Sequence, residues 1–268
     1  MSNLLELIKE RKSVRTYDAR PLSAEHQREL EAYAKAIRNP FEITVEFVML
    51  DAKEHGLSSP VLAGETEYVA AKVKKQPNAE VAYGYSFEKL VLHAKSLGIG
   101  TVFIGGTMKR ELFEKAANVQ ADELMPCVSP LGYPAAKRSL KEMMMRKGVK
   151  ADTRLRADQL FFKDSWGNPL ATAELSDVFE MVRLAPSAVN KQPWRIVEID
   201  GVYHFYEKKD KGYDKEATGD LQKIDIGIAL CHFMMGLEEL GKQPKVSFVN
   251  PSVEVPQDVE YVLSVSVL

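Results

Sequence analysis

The spacing of hydrophobic and polar positions alternates along the chain between a helical period and a strand period. The helical period predicts helices over 4–10, 21–37, 85–98, 168–185 and 226–241. Alternating or continuous apolar runs predict strands over 43–50, 61–73, 101–106 and 261–268. Asp200-Gly201 joins two further alternating runs as a predicted hairpin. Ser23 is a predicted N-cap, and Gly98 is a predicted helix stop.

The order of these elements is repeated in the second part of the chain. Pro21-Leu22 corresponds to Pro169-Leu170 at an offset of 148, whereas Pro40-Phe41 corresponds to Pro193-Trp194 at an offset of 153. The second copy therefore has five extra residues, and these lie in APSAVNKQ, 185–192.

Further along the chain the offset between the copies is constant. Gly84 corresponds to Gly227, and Leu97-Gly98 to Leu240-Gly241, both at an offset of 143. The order of elements predicts a diverged internal duplication. The predicted halves are residues 1–145 and 146–268, packed as one unit.

Composition and charge exclude several classes of protein. With 268 residues, of which 45% are hydrophobic, the chain can bury a substantial core. A net charge of −2 without blocks of like charge argues against a nucleic-acid partner. No apolar run is long enough for a bilayer, so a membrane partner is not expected. Cys127 and Cys231 form no CxxC pair, which favours a reducing compartment, and the cytoplasm is the expected location.

Two basic clusters could bind an anion. Arg11, Ser13 and Arg15 alternate, so in an extended segment all three side chains point to one side and suit a phosphate or carboxylate. A solvated charged face explains this pattern alone at least as well. Lys137 and Arg138 follow LGYPA and are open to the same two interpretations.

The segment SLGIGTVFIGG ends in the glycine pair Gly105 and Gly106. It is not a dinucleotide fingerprint, because the spacing differs and the segment follows a helix instead of a strand. A glycine pair at a strand end lets the backbone approach a planar ligand closely. A helix stop with a tight turn explains the glycines equally well.

The most informative segment is APSAVNKQPW, 185–194. Pro186 and Pro193 stiffen a loop that carries the polar residues Ser187, Asn190 and Gln192. A rigid polar loop presents hydrogen-bonding groups at a small cost in conformational entropy. An elaborate helix exit is the weaker explanation, since the first copy passes the same junction with IRNPF alone.

Histidines and methionines give no evidence for a metal or catalytic site. The five histidines have no ligand spacing to one another or to the cysteines, so zinc is not supported; they are His26, His55, His93, His204 and His232. His93, His232 and the methionines of 143–145 and 234–235 are interpreted as packing residues. No phosphate-binding loop and no nucleophile-elbow pattern is present.

Together the four motifs resemble the FMN-dependent nitroreductase family, in the family's order and over most of the chain. The family's Arg-x-Ser-x-Arg is similar to 11–15, and its Ser-Leu-Gly-x-Gly-Thr leading to a glycine pair is similar to 96–106. Its Leu-Gly-Tyr-Pro with following basic residues is similar to 131–138. Its Ala-Pro-Ser-Ser-x-Asn-x-Gln-Pro-Trp is similar to 185–194, with Ala188 in place of the second serine.

This resemblance implies an α+β, nitroreductase-like fold and a particular division of the site. Typical members bind FMN at the interface of a homodimer, each subunit supplying different motifs. Here the first half has three of the motifs, and the second half has only the helix exit. The chain therefore resembles most the TM nitroreductase subgroup and is expected to be a pseudo-dimer with one FMN site. A monomer is expected, and a homodimer stays open.

The resemblance also implies roles for the motif residues. Arg11, Ser13 and Arg15, with Lys137 or Arg138, would hold the FMN phosphate and ribityl chain. Backbone amides of Gly105 and Gly106 would face flavin N5 and O4. The second half would contribute packing and hydrogen bonds from Pro186, Ser187, Ala188 and Asn190.

The implied activity is that of an oxidoreductase. Electrons would pass from NADH or NADPH through FMN to a small-molecule acceptor, such as a nitroaromatic or a quinone, without a side-chain acid or base. The alternative is a non-catalytic scaffold that binds flavin or has lost it.

Overall fold

The computed structural model describes residues 3–171 and 173–267, which form an α+β fold as expected. The helices in these ranges are α1 (Asn3–Glu10), α2 (Ala24–Ala36), α3 (Ala79–Ser96), α4 (Arg110–Ala116), α5 (Leu140–Gly148), α6 (Ser176–Leu184) and α7 (Leu221–Glu239). The strands are β1 (Val45–Asp51), β2 (Glu67–Lys74), β3 (Glu123–Leu124), β4 (Val128–Leu131), β5 (Phe161–Lys163), β6 (Trp194–Ile199), β7 (Val202–Lys208), β8 (Asp214–Lys215), β9 (Gly219–Asp220), β10 (Pro244–Ser247) and β11 (Val259–Val267).

Each part of the chain forms its own sheet. In the first sheet β2 lies beside β1 on one edge and pairs with β3 and β4 on the other, all antiparallel. The second sheet has the order β10-β11-β7-β6-β5, and only β5 and β6 run parallel. The largest hydrophobic core includes α3 and α7 together with residues of both sheets.

Local signals in the sequence are confirmed at three turns. The Ser23 hydroxyl accepts a hydrogen bond from the backbone N–H of His26 (3.2 Å) and caps α2. Gly98 ends α3 with φ +76°. Asp200 and Gly201 have φ +49° and +79° and join β6 to β7, since a tight hairpin turn needs positive φ at both central positions.

The predicted strand over 101–106 is wrong. This segment makes only single-residue bridges, between Thr101 and Ser13 and between Ile104 and Val128. Each neighbouring segment pairs with 101–106 at one position only. No continuous strand ladder therefore forms before the glycine pair.

Several predicted boundaries are also wrong, because apolar spacing does not define where an element begins. α3 begins at Ala79 and α7 at Leu221, earlier than predicted, whereas α6 begins at Ser176 after a short 3-10 turn. β2 begins only at Glu67. Residue 172, inside the predicted helix 168–185, lies outside the described residues.

α3 and α7 cross at two glycines that correspond to each other in the predicted duplication. A Cβ at Gly84 would overlap the Ile224 carbonyl oxygen and lie 2.8 Å from its carbonyl carbon. A Cβ at Gly227 would overlap the Val81 carbonyl oxygen and lie 2.9 Å from its carbon. Val81 and Ile224 each lie three residues before the glycine of their own helix, so the contact is reciprocal.

The interpretation of two histidines as packing residues agrees with their contacts. His232 is fully buried in α7, where Nδ1 lies 2.7 Å from the Met181 carbonyl oxygen and Nε2 lies 2.9 Å from Glu88 Oε1. The His93 ring stacks on Tyr33 with centroids 3.9 Å apart. Neither histidine lines the candidate cavity described below.

Candidate cofactor site

A cavity of about 580 Å³ is lined by residues from widely separated parts of the chain. Its wall is formed by residues of 8–15, 102–107 and 127 from the first part, and of 184–190 and 213–228 from the second. The connecting segment contributes residues of 145–154. This volume is in the range of ordinary cofactor sites. A larger groove, of about 1070 Å³, runs between α2 and β1 and contains none of the predicted site residues.

The structure brings nine of the eleven predicted site residues together in this cavity. Lys137 and Arg138 do not line it: both are exposed, and Arg138 Nε lies 3.5 Å from Glu142 Oε1 on α5. The nine lining residues are Arg11, Ser13, Arg15, Gly105, Gly106, Pro186, Ser187, Ala188 and Asn190.

One end of the cavity is basic and has unpaired guanidinium nitrogens. Val14 between Arg11 and Arg15 donates its N–H to the Thr101 carbonyl (2.9 Å), which fixes the segment in an extended form. Arg11 is only 8% exposed, and the Nη1 atoms of Arg11 and Arg15 have no hydrogen-bond partner among the described residues. Burial lowers the pKa of Arg11 and of Arg15. Buried cationic donors without partners are costly, so this end is suited to an anion.

Arg146, on α5, lies where a third basic residue was expected. Its side chain is buried, with Nη1 3.4 Å from the Ser13 carbonyl oxygen and Nη2 paired with Asp152. Sequence reasoning assigned this place to Lys137 or Arg138. The available signal was the spacing of Arg138, Glu142 and Arg146, since residues four apart share one face of a helix.

Arg154 joins the connecting segment to the helix exit. Its Nη1 donates to the Ala151 and Thr153 carbonyls (3.0 and 2.8 Å), and Nη2 lies 3.3 Å from the Leu184 carbonyl oxygen at the end of α6. Burial, followed by the charge of Arg11, lowers the pKa of Arg154 to about 10. Backbone carbonyls, including the negative end of a helix, therefore hold this cation in place.

The helix-exit loop, 185–192, has a strained backbone. Val189, Asn190 and Gln192 have φ of +50°, +58° and +52°, a region that is unfavourable for side chains, above all for a β-branched one. Inside the loop, the Ser187 hydroxyl accepts a hydrogen bond from the Gln192 N–H (2.9 Å).

Side chains of this loop also bind the connecting segment. Asn190 Nδ2 donates to the Lys150 and Thr153 carbonyls (2.8 and 3.1 Å), and Gln192 Oε1 accepts from the Leu155 N–H (2.8 Å). The amide groups of Asn190 and Gln192 thus hold the loop against the segment that carries Arg146 and Arg154.

The glycine pair forms another part of the cavity wall, which is open at Gly106. A Cβ at Gly106 would meet no atom within 4 Å, and one at Gly105 would meet its nearest atom, the Pro126 carbonyl oxygen, at 3.4 Å. Cys127 lies beside Gly105, and burial raises the pKa of its thiol to about 12, so the thiol is neutral. A planar ligand can therefore approach the backbone most closely at Gly106.

Asp225 is a cavity residue that sequence reasoning missed. It lies on α7 and is only 3% exposed. The predicted helix begins one residue later, at Ile226. Asp225, the only acidic residue of the apolar run IDIGIAL (224–230), therefore lay outside the predicted helix. An isolated acidic residue between isoleucines was the available signal.

A second buried acid, Glu207 on β7, lies close to the start of α7. Glu207 is 1% exposed, and burial, followed by the charge of Asp220, raises its pKa to about 7. Between the usual pKa of a glutamate and about pH 7, Glu207 is protonated in the folded protein and ionised in the unfolded one. The folded state binds more protons in this window, so the free energy of unfolding falls as pH rises through it.

Replacing Glu207 by Gln is expected to remove this part of the pH dependence. Between about pH 5 and about pH 8, Glu207→Gln should gain about 1–2 kcal/mol in stability relative to the wild type, after a discount for partial screening. Urea unfolding at the two pH values measures this, with the exposed Glu216→Gln as the matched control. A difference between variant and wild type that is the same at both pH values would contradict the expectation.

Comparison with solved structures first defines the class of protein. The chain aligns over 98% of its length with 93% of a "putative nitroreductase" of Thermotoga maritima, with a TM-score of 0.64 and 21% identity. The fold is therefore nitroreductase-like, as expected. A sequence-family model described as "Putative TM nitroreductase" matches residues 3–237. The chain belongs to this TM nitroreductase family.

Shorter chains resemble only part of this protein. A nitroreductase with bound FMN from Bacteroides fragilis aligns at 20% identity with 52% of this chain and 92% of its own, with a TM-score of 0.43. An iodotyrosine deiodinase bound to FMN and 3-iodo-L-tyrosine aligns at 18% identity with 51% of this chain and 92% of its own, also with a TM-score of 0.43. No curated protein matches the chain significantly in sequence.

Within residues 3–171 and 173–267, no helix has the length and hydrophobicity needed to cross a bilayer. The same residues contain no group of three or more His, Cys, Asp or Glu side chains arranged to hold a metal ion.

Proposed function

We propose that this protein is an FMN-dependent oxidoreductase that passes electrons from NADH or NADPH to a small-molecule acceptor such as a nitroaromatic or a quinone. The observation that carries the proposal is the pair of unpaired Nη1 atoms of Arg11 and Arg15 in a cavity that the glycine pair Gly105 and Gly106 also lines. A ligand that has both a phosphate and a planar ring would use both parts of this wall. Membership of the nitroreductase family supports the same cofactor.

The chain's own residues divide the binding work along the cavity. Arg11, Arg15 and Arg146 would hold the phosphate, since guanidinium groups bind phosphate oxygens through paired, charge-assisted hydrogen bonds. Gly105 and Gly106 would present backbone amides to the ring, where fixed N–H groups stabilise negative charge. When bound, FMN supplies the redox chemistry, and the protein supplies orientation and electrostatics.

The helix-exit loop would close the cavity from the second half of the chain. Pro186, Ser187 and Ala188 line the wall, and Asn190 acts mainly by holding the loop against the connecting segment. The loop would bind the cofactor in one orientation, because its shape is fixed by hydrogen bonds before a ligand arrives.

The two halves, 1–145 and 146–268, are proposed to form a pseudo-dimer. The reciprocal contact of Gly84 and Gly227 supports this proposal, because a two-fold interface places the same two positions against each other in both directions. α5 (Leu140–Gly148) spans the proposed boundary. An internal interface of this kind favours a monomer.

One cofactor per chain is the proposed stoichiometry. Phe248 and Val249 stand 143 positions after Gly105 and Gly106, so large side chains replace the glycine pair in the second half. The Phe248 ring lies 6.3 Å from that of Phe41, which belongs to the short helix exit of the first half. These side chains leave no glycine backbone for a second flavin to approach.

The cytoplasm is the proposed location. Cys127 and Cys231 are both buried and unpaired, as expected of a protein in a reducing compartment.

The absorption spectrum of the reconstituted protein tests the proposed function. After incubation with FMN and removal of the excess, the protein is expected to carry one FMN per chain. NADH or NADPH, added without oxygen, is then expected to bleach the flavin absorption.

The possible results separate the alternatives. A ratio near two flavins per chain would contradict the single site. A colourless protein would favour the flavin-free scaffold, and bound flavin that neither NADH nor NADPH bleaches would favour a non-catalytic flavin-binding module.

A further inference from the structure

A buried carboxyl group forms part of the cavity wall. Asp225 lies in the second turn of α7, between Leu221, Ile224 and Ile228, which line the same wall. It is 3% exposed, and it lies close enough to Cys127 for the ionisation of the two groups to be linked. An acid in an apolar wall is costly to ionise unless a cation pairs with it.

No cation pairs with Asp225 among the described residues. Its hydrogen-bond partner is the backbone N–H of Ala188, 3.0 Å from Oδ1 and 3.1 Å from Oδ2. The charged side chains that act on it, Asp220 at the start of α7 and Glu207 on β7, have the same sign. Burial is the largest effect and raises the pKa of Asp225 well above its usual range; the Ala188 N–H lowers this pKa, and both acids raise it. The surroundings of the carboxyl group therefore favour its neutral form.

A neutral carboxylic acid has one acceptor and one donor to satisfy. The carbonyl oxygen can accept from Ala188 N–H, which leaves the O–H without an acceptor among the described residues. The side chain lines the cavity, so a ligand atom there can accept this hydrogen bond. The isoalloxazine ring of FMN carries carbonyl oxygens and ring nitrogens that accept hydrogen bonds.

We propose that Asp225 is a positioning residue that, as a neutral acid, holds the helix-exit loop through Ala188 and donates its O–H to the ring of the bound flavin. This inference rests on the proposed function and adds to it a side-chain donor from the second half. Holding the helix-exit loop opposes a backbone strain, since Val189, next to Ala188, has the unfavourable φ of +50°. The contact with Asp225 helps to keep the loop in this form.

Two substitutions of Asp225 separate the neutral acid from an ionised one. Asn has the same shape, stays neutral, accepts from Ala188 and retains a donor, so D225N should bind FMN within about threefold of the wild type. Ala removes both hydrogen bonds, so D225A should bind FMN about tenfold more weakly. An ionised Asp225 would instead repel the anionic cofactor, and D225N would then bind FMN clearly more tightly than the wild type.

Infrared spectroscopy of the ligand-free protein at pH 7 reports the protonation of Asp225 directly. The carbonyl band of the protonated Asp225 should be present in the wild type, beside that of the partly protonated Glu207, and should be lost in D225N. It should remain in the control D214N, which changes an exposed carboxylate on β8. When FMN is added to the wild type, this band should shift, because the O–H gains an acceptor.

The outcomes distinguish this inference from the proposed function. If the wild type binds FMN but the band is not lost in D225N, or does not shift with FMN, the role of Asp225 is overturned and the proposed function stands. Binding of FMN to D225A with unchanged affinity would also overturn it. If the wild type binds no FMN, the proposed function fails, and a band lost in D225N still supports the neutral acid.

Discussion

Alanine at Gly84 is expected to destabilise the protein by about 3 kcal/mol or more and to lower the Tm by roughly 10 °C. A methyl group there would overlap the backbone of Ile224 on α7. Backbone atoms inside a helix cannot move aside as a flexible side chain can, so α3 and α7 would have to separate along the centre of the core. Urea or thermal unfolding measures the effect, and the reciprocal contact predicts a similar loss for Gly227→Ala.

Gly148→Ala is the matched control for this substitution. Gly148 also lies in a helix, has no positive φ, and a Cβ there would meet no atom within 4 Å. Its replacement should change stability by at most about 1 kcal/mol, in the stabilising direction, because alanine favours helices. If Gly84→Ala were as stable as Gly148→Ala, the close crossing of α3 and α7 would be refuted.

Replacing Arg11 and Arg15 together by alanine is expected to abolish the retention of FMN. Each charge-assisted hydrogen bond to phosphate contributes about 1.5–3 kcal/mol, so losing two should weaken binding by more than about 100-fold. The measurement is the flavin content after reconstitution and removal of excess FMN, with the affinity taken from fluorescence titration. Unchanged flavin content would refute the site.

Lys137→Ala combined with Arg138→Ala is the matched control, since it also removes two positive charges. Both residues lie outside the cavity, so FMN binding should be unchanged. Loss of FMN in this control would instead favour the roles that the family resemblance implied for them. Removing Arg11 also removes a positive charge that acts on the buried Glu88, so Arg15→Ala alone serves as a variant that keeps this interaction. It should still weaken binding about tenfold or more.

The parts of the site that sequence reasoning found are those fixed by local geometry. Alternate residues of an extended segment share one side, and this brings Arg11, Ser13 and Arg15 to the same cavity. Prolines and extra length marked the helix-exit loop, and a glycine pair marked a place of close approach. None of these inferences depends on how distant segments of the chain pack together.

The parts that sequence reasoning missed depend on tertiary packing. Whether Arg138 or Arg146 reaches the cavity depends on where α5 lies and which face it buries, and no local pattern fixes that. Asp225 was missed because an acid within an apolar helix contradicts the hydrophobic pattern. The strand wrongly predicted over 101–106 has a different cause. A short apolar run has the same spacing in a strand and in a buried loop, so the sequence does not distinguish the two.

The cavity wall comes from stretches spread over most of the chain, and this has a consequence for biosynthesis. Its basic residues Arg11 and Arg15 are made early, but the wall is completed only by α7, with Ile224, Asp225 and Ile228. A ribosome releases these stretches in that order, so the nascent first half exposes an unfinished, positively charged pocket. Binding of the proposed cofactor would therefore wait until α7 has been translated and has packed against α3.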